Sequence, residues 1–204
     1  MEKAQTRPPY ESLAEWARDA AQVVTVPIAR VLARWKVHPN TLTLLGGLLS
    51  IAVGGVLASG RLTLGGWLLA ITAPLDALDG ALARLAGRTT RFGAFLDSTL
   101  DRVSEGVLLI CLAAHYLWQG ATTEVLLAFL TLIGSNLVSY VRARAEANGY
   151  SCKVGLFTRM ERIAVLSIGL ILGYPTIALW ILAVGSNLTA LWRILYVYLQ
   201  ARKE

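Results

Sequence analysis

The sequence predicts an all-α polytopic membrane protein, with six transmembrane helices preceded by an N-terminal amphipathic surface helix. Three observations carry this. Of 204 residues, 55% are hydrophobic and only 16% are charged, where a soluble domain of this size carries about 25% charged residues. Mean hydropathy is +0.56. Residues 41–60, 106–123 and 125–141 carry no charge, and 163–192 is a further uncharged run broken at Gly173-Tyr174-Pro175. A span needs about 20 apolar residues to cross a hydrocarbon core about 30 Å thick.

The elements follow in order. Residues 10–36 alternate charge with Leu, Val, Ile and Trp, the pattern of a helix lying along a membrane surface. The first 20 residues are polar and charged and read as no cleavable signal peptide. The chain divides into an N-terminal cytoplasmic amphipathic segment, 1–36, and a six-helix transmembrane domain, 37–204. With glycine and proline as punctuation, the helices fall at 40–60, 62–86, 93–118, 122–148, 157–173 and 176–200. Helix 1 opens at His38-Pro39-Asn40-Thr41-Leu42-Thr43, a helix-start signature that capping explains adequately. Cys111 falls within a span and Cys152 in a loop, so no disulfide is expected.

Every Lys and Arg except Arg61 falls in the N-terminal segment, the 2–3 and 4–5 connections, the C-terminus or the span ends beside them. The positive-inside rule then puts both termini on the cytoplasmic side of the plasma membrane. The net charge of +6 calls for no nucleic acid, since topology and anionic headgroups account for it.

Four aspartates interrupt this apolar pattern, in DALDGALARLAGRTTRFGAFLDSTLD: Asp76, Asp79, Asp97 and Asp101. Carboxylates are costly beside hydrocarbon and mark cation or proton handling. Three- and four-residue spacings put each pair on one helix face. From the outer start of helix 2, Asp76 lies about 21 Å inward and Asp79 about 25 Å; from the outer end of helix 3, Asp101 lies about 27 Å inward and Asp97 about 33 Å. Both pairs reach the cytoplasmic third of the bilayer, where a site touches water and lipid together. A single intramembrane Asp is often only a packing partner, and Arg84, Arg88, Arg91 and Arg102 are near enough in sequence to pair with some of the four. Four at matched depth form an all-oxygen set suited to hard divalent cations. A divalent-cation transporter is the alternative from another class, but helices 2 and 3 offer mainly Leu, Ala, Ile, Val, Gly and Trp beyond the aspartates.

As a pattern the stretch reads D-x2-D-G-x2-A-R-x8-G-x3-D-x3-D, filled by Asp76, Asp79, Gly80, Ala83, Arg84, Gly93, Asp97 and Asp101. It resembles the CDP-alcohol phosphotransferase family of membrane phospholipid synthases. That resemblance implies a reaction in which an alcohol hydroxyl attacks the lipid-side phosphorus of a CDP-lipid such as CDP-diacylglycerol, and CMP leaves. It implies that Asp76, Asp79, Asp97 and Asp101 bind two Mg²⁺ ions, with Mn²⁺ as a substitute, and that Asp101 is also the catalytic base. It gives Pro39, Asn40, Thr41, Leu42, Gly80, Arg84 and Thr90 to CDP-lipid binding, although Gly80 and Gly93 also serve close helix approach and Arg84 also suits snorkelling. The resemblance also implies a homodimer.

The acceptor is read from SYVRARAEANGYSCKVGLFTRMER, which concentrates Arg142, Arg144, Lys153, Arg159 and Arg162. The positive-inside rule alone predicts a basic loop here, but a phosphorylated acceptor needs such a pocket. Arg142 and Arg144 lie about 200° apart on a helix, so at most one faces a cavity. The segment Tyr140 to Glu146 with Glu161-Arg162 is similar to the branch using inositol phosphate. That similarity implies a phosphorylated polyol as acceptor, bound by Arg142, Lys153, Arg159 and Arg162. Glycerol-3-phosphate is the rival acceptor.

Overall fold

The computed structural model describes residues 25–35 and 37–202, with the backbone alone at positions 76 and 77. Of the expected surface segment 1–36, residues 1–24 and Lys36 lie outside the described residues, and 25–34 are helical. Beyond these, the described chain forms α1 (Pro39–Ala58), α2 (Leu62–Leu85), α3 (Arg91–Trp118), α4 (Thr122–Ala147), α5 (Arg159–Ile171) and α6 (Pro175–Ala201), with no strand. All six expected helices are present, with ends displaced by about two residues at most, the scale on which helix ends fray.

Local chemistry sets the ends. His38 caps α1, its Nδ1 accepting from the Asn40 N–H at 3.2 Å, and Pro39 occupies the first turn, where its missing N–H costs nothing. Thr90 caps α3, its Oγ1 accepting from the Gly93 N–H at 2.9 Å. Gly87 (φ +62°) and Gly173 (φ +77°) end α2 and α5 in the left-handed region, which glycine enters without a Cβ clash. Helix α5 is shorter than the expected 157–173. Thr158 is extended, and the Phe157 carbonyl turns to accept from Arg162 Nη1 at 2.8 Å.

The six helices close into a ring whose main packing contacts run in the order α1, α2, α5, α6, α4, α3 and back to α1. Helices α2 and α3 therefore both lean on α1 and face one another across a gap. One end of the ring is filled by a dry core that includes Leu57, Leu108, Leu112, Leu170, Leu179 and Leu182, none more than 2% exposed. The aspartates lie at the other end. There Ala29, in the helical segment 25–34, packs on Leu78, Ala81 and Leu82 of α2.

Outward faces carry large exposed apolar side chains, among them Leu48, Ile71, Ile110, Phe129, Ile133, Trp180 and Leu188. Water would not tolerate this surface, whereas lipid does. Helices α1, α4 and α6 are long and apolar enough to cross a membrane; α2 and α3 carry the carboxylates, and α5 has 13 residues.

Close helix approach uses small residues. A Cβ at Gly66 would lie 2.7 Å from Leu170 Cβ and 3.0 Å from the Ile171 amide nitrogen. Gly66→Ala should force α2 from α5 at an overpacking cost of about 1–3 kcal/mol, lowering the thermal unfolding midpoint in detergent. Gly55→Ala, with nothing within 4 Å of the new Cβ, should leave that midpoint unchanged.

Candidate active site

Where α2 and α3 part, a cavity of about 190 Å³ opens between them and the start of α1. From α1 it is lined by Pro39, Asn40 and Thr43, which share a face at helical spacing. From α2 it takes Asp79, Gly80, Ala83 and Arg84, and from α3 Gly93, Ala94 and Asp97. The connection between them adds Arg88, Thr89 and Thr90. Both carboxylates and two arginines thus meet in one space, an arrangement suited to an anionic ligand bridged by cations.

Asp79 is 4% exposed, and its Oδ2 accepts from Thr43 Oγ1 at 2.6 Å. That contact orients the carboxylate and compensates part of its burial. Just ahead of it in sequence, Pro74 removes one N–H from the α2 ladder. Asp97 is half-buried on the cavity wall. The side chain of Asp76 lies outside the described residues, though its backbone is on α2, three residues before Asp79. The two glycines differ in use. A Cβ at Gly93 would meet Thr90 Oγ1 at 3.0 Å and Asn40 Oδ1 at 3.2 Å, so its small size brings α3 against α1; a Cβ at Gly80 would meet only Arg84 Nη1, at 3.4 Å, and opens on the cavity.

Asp101 faces α5. Its Oδ1 accepts from Arg159 Nη1 at 2.9 Å, each side chain about one quarter exposed. One turn further, Glu105 receives Arg162 in a two-pronged pair, Nε to Oε1 and Nη2 to Oε2, both at 2.6 Å. Both of those side chains are buried.

Several expected contacts sit elsewhere. Thr41 is exposed and does not line the cavity, while Leu42 packs toward the Ala29–Leu78–Leu82 cluster; both point off the face shared by Pro39, Asn40 and Thr43. Arg162 was expected to bind the acceptor phosphate, and its donors are directed at Glu105 and the Phe157 carbonyl. Arg142 pairs with Glu146 at 2.9 Å on an exposed face, and Lys153 is exposed. Pro39, Asn40, Gly80, Arg84 and Thr90 do meet at the cavity.

Sequence reasoning missed three residues. Thr43 could have been found from its spacing with Pro39 and Asn40. Glu105 continues the four-residue stripe of Asp97 and Asp101. Arg193 is an arginine beside a long apolar run; it is 3% exposed and donates to the carbonyls of Val154 and Val138, at 2.8 and 2.5 Å. The first bond straps the α4–α5 connection to α6, and the second ties α6 to the body of α4. Within that connection Cys152 is buried, and its burial pushes the thiol above its ordinary value, leaving it a packing residue.

Among the described side chains no three His, Cys, Asp or Glu residues gather into one ligand group. The donors that do share the cavity, Asp79 and Asp97, are both carboxylates, and their all-oxygen chemistry fits a hard divalent cation.

The CDP-alcohol phosphatidyltransferase family profile matches residues 36–192. The chain belongs to this family. Among its family relatives, it is 37% identical to a phosphatidylinositol phosphate synthase of Corynebacterium glutamicum, over 87% of this chain and 85% of that one. It is 39% identical to an archaetidylinositol phosphate synthase of Methanothermobacter thermautotrophicus, over 92% and 95%. The Mycobacterium tuberculosis phosphatidylinositol phosphate synthase, solved with CDP-DAG bound, superposes with a TM-score of 0.78 at 32% identity, covering 86% of this chain and 94% of that one. The same enzyme solved with manganese and citrate gives 0.79 at 33% identity, covering 85% and 88%.

In this family member the Glu105–Arg162 pair is the most exacting contact. Glu105→Gln keeps the shape but strands a buried guanidinium, and breaking such a pair costs about 3–5 kcal/mol. Thermal unfolding of the detergent-solubilised protein should show a large fall in the midpoint.

Proposed function

We propose that this phosphatidyltransferase moves the phosphatidyl group of CDP-diacylglycerol to a hydroxyl of inositol phosphate, releasing CMP. The observation that carries this is the cavity itself, where Asp79 and Asp97 meet Arg84 and Arg88 beside the capped starts of α1 and α3. The inositol-phosphate relatives and the CDP-DAG-bound neighbour support the same donor and acceptor.

Asp76, Asp79, Asp97 and Asp101 hold two Mg²⁺ ions, with Mn²⁺ as a substitute. When bound, the ions supply positive charge that offsets the diphosphate and polarises the reacting phosphorus. Thr43 keeps Asp79 aimed into the cavity. Pro39, Asn40 and Gly80 surround the cytidine, and Arg84 and Thr90 contact the diphosphate. Arg142, Lys153 and Arg159 serve the acceptor phosphate, while Arg162, engaged by Glu105 and the Phe157 carbonyl, holds the start of α5 in place behind them. Asp101 takes the proton from the acceptor hydroxyl. As the new O–P bond forms on the lipid-side phosphorus, the bond to the CMP oxygen breaks, and CMP leaves with the electron pair.

The reading includes a six-span fold over 37–204 and a surface segment over 1–36. The site and both termini face the cytoplasm at the plasma membrane, and the unit is a homodimer. Ion transport is disfavoured, because the dry core around Leu57, Leu112, Leu170, Leu179 and Leu182 closes the bundle beyond the site.

Purified protein with CDP-diacylglycerol and Mg²⁺ should release CMP with inositol phosphate and much less with glycerol-3-phosphate, serine or free inositol. Faster release with glycerol-3-phosphate would reassign the acceptor, and none with any acceptor would sink the enzymatic reading. Asp97→Asn and Asp101→Asn should each nearly abolish turnover. Arg142→Ala should raise the acceptor KM far more than the CDP-lipid KM, and Arg84→Ala the reverse, in a two-substrate steady-state analysis.

A further inference from the structure

The connection between α2 and α3 places a second arginine on the donor cavity. Arg88 lines it with Thr89 and Thr90, whereas Arg91, at the start of α3, lies outside that lining. The backbone fixes this placement from both sides. The Arg88 N–H donates back to the Ala83 carbonyl at 2.9 Å and the Gly87 N–H to the Arg84 carbonyl at 3.3 Å. These are the paired bonds of a Schellman motif, closed by Gly87 at φ +62°. Thr90 then caps α3 through the Gly93 N–H. Only Thr89 separates one cap from the next, so Arg88 projects from a defined turn.

The other arginine on the cavity comes from a helix wall. Arg84 lies in the last turn of α2, and its Nη1 is the atom a Cβ at Gly80 would meet, at 3.4 Å. It folds back along its own helix toward the turn that bears Asp79. Arg88 instead stands at the exposed rim. A CDP-lipid is polar at one end only, so its lipid-side phosphate points to the bilayer and its nucleotide phosphate to water. The rim is the nucleotide end. Charge also builds there during transfer, because the nucleotide phosphate leaves as a monoester with about −1.5 to −2 charge at pH 7, against a single charge in the donor. A fixed cation at the group that gains charge binds the transition state more tightly than the ground state.

Resting on the proposed function, we propose that Arg88 binds the phosphate of the leaving nucleotide and stabilises the charge that develops on it. As the acceptor oxygen bonds to the lipid-side phosphorus, the bond from that phosphorus to the CMP oxygen breaks. The electron pair goes to CMP, and the acceptor's proton goes to the base. Arg88 gives up no proton, since a guanidinium stays charged throughout; it meets the new charge with a donor fork. In the reverse reaction the same contact captures incoming CMP. A rim arginine that met only anionic headgroups would do neither.

The test uses the full-length protein in phosphatidylcholine nanodiscs, with CMP and cytidine titrated calorimetrically in the presence of Mg²⁺. Arg88→Gln should weaken CMP binding about tenfold or more, the loss expected of a charge-assisted hydrogen bond. Cytidine, which lacks the phosphate, should bind both proteins alike, and Arg91→Gln should leave CMP affinity unchanged. Equal CMP affinity in Arg88→Gln and the unaltered protein would overturn the proposal. So would an equal loss of cytidine, which places Arg88 on the base or ribose, or an equal loss in Arg91→Gln, which reduces the effect to general basic charge. Gly87→Val strains the turn, although its added Cβ meets nothing within 4 Å, and should weaken CMP with Arg88 intact. Gly87→Asn, which enters the left-handed region, should not. Unweakened binding in Gly87→Val would overturn the role given to the turn. Turnover is a separate readout. With CDP-diacylglycerol and inositol phosphate saturating, Arg88→Gln should lower kcat about tenfold and leave the acceptor KM unchanged; an unchanged kcat would overturn its part in the transfer. CMP binding needs no acceptor. Failure of every acceptor to release CMP would defeat the proposed function, while the titration would still decide whether Arg88 holds the nucleotide.

Discussion

The Glu105–Arg162 pair lies at the junction of two halves of the bundle that obey different rules. On one side of it α3 continues into Leu108, Leu109 and Leu112 and α5 into Ile163, Leu166 and Leu170, all in the dry core. On the other side α3 carries Asp101 and Asp97, and α5 begins at Arg159. A carboxylate and a guanidinium at that depth are tolerable only as a saturated pair, and Arg162 adds a bond to the Phe157 carbonyl that closes the α4–α5 connection over them. Removing either partner would leave an unpaired charge beside leucines. The pair therefore fixes the spacing of α3 and α5, and everything proposed for Asp101 and Arg159 takes place on that frame.

Helix α1 plays the corresponding part on the donor side. It keeps α2 and α3 apart by packing on both, and its first turn supplies the polar rim where they diverge. A short hydroxyl bond from Thr43 to Asp79 ties the rim to the acidic face, while Gly93 lets α3 come close enough for Asn40 and Thr90 to share the entrance. The cavity is thus a gap enforced by a wedge, with its charged groups anchored on rigid helices. Such anchoring limits the reorganisation needed when charge develops during transfer.

Arg193 and Arg162 also show how buried arginines organise an irregular segment. The α4–α5 connection has few backbone bonds of its own, and the carbonyls of Val154 and Phe157 are met instead by guanidinium donors from α6 and α5. Gln200 adds a bond to the Ser151 carbonyl. A connection held this way keeps a defined course beside a membrane, where unsatisfied carbonyls are expensive.

Much of this was legible in the residue order alone. Helix positions follow from apolar run lengths and from glycine and proline breaks, which act over a few neighbouring residues, so all six helices were found with nearly correct ends. The stripe of Asp79, Gly80, Arg84, Gly93 and Asp97 was equally readable, because spacing along a helix determines which side chains share a face. The partner each charge would choose was not. Asp101 with Arg159 and Glu105 with Arg162 join residues 57 or more positions apart, and Thr43 reaches Asp79 across 36. Those pairings depend on the order in which the helices close the ring, a property of packing between surfaces that no local pattern encodes. For the same reason Leu42 turned to α2 and the segment before it, and Arg162 turned inward to Glu105. The sequence by itself determined which residues are helical and which bear the chemistry; only the tertiary structure decided which of them meet.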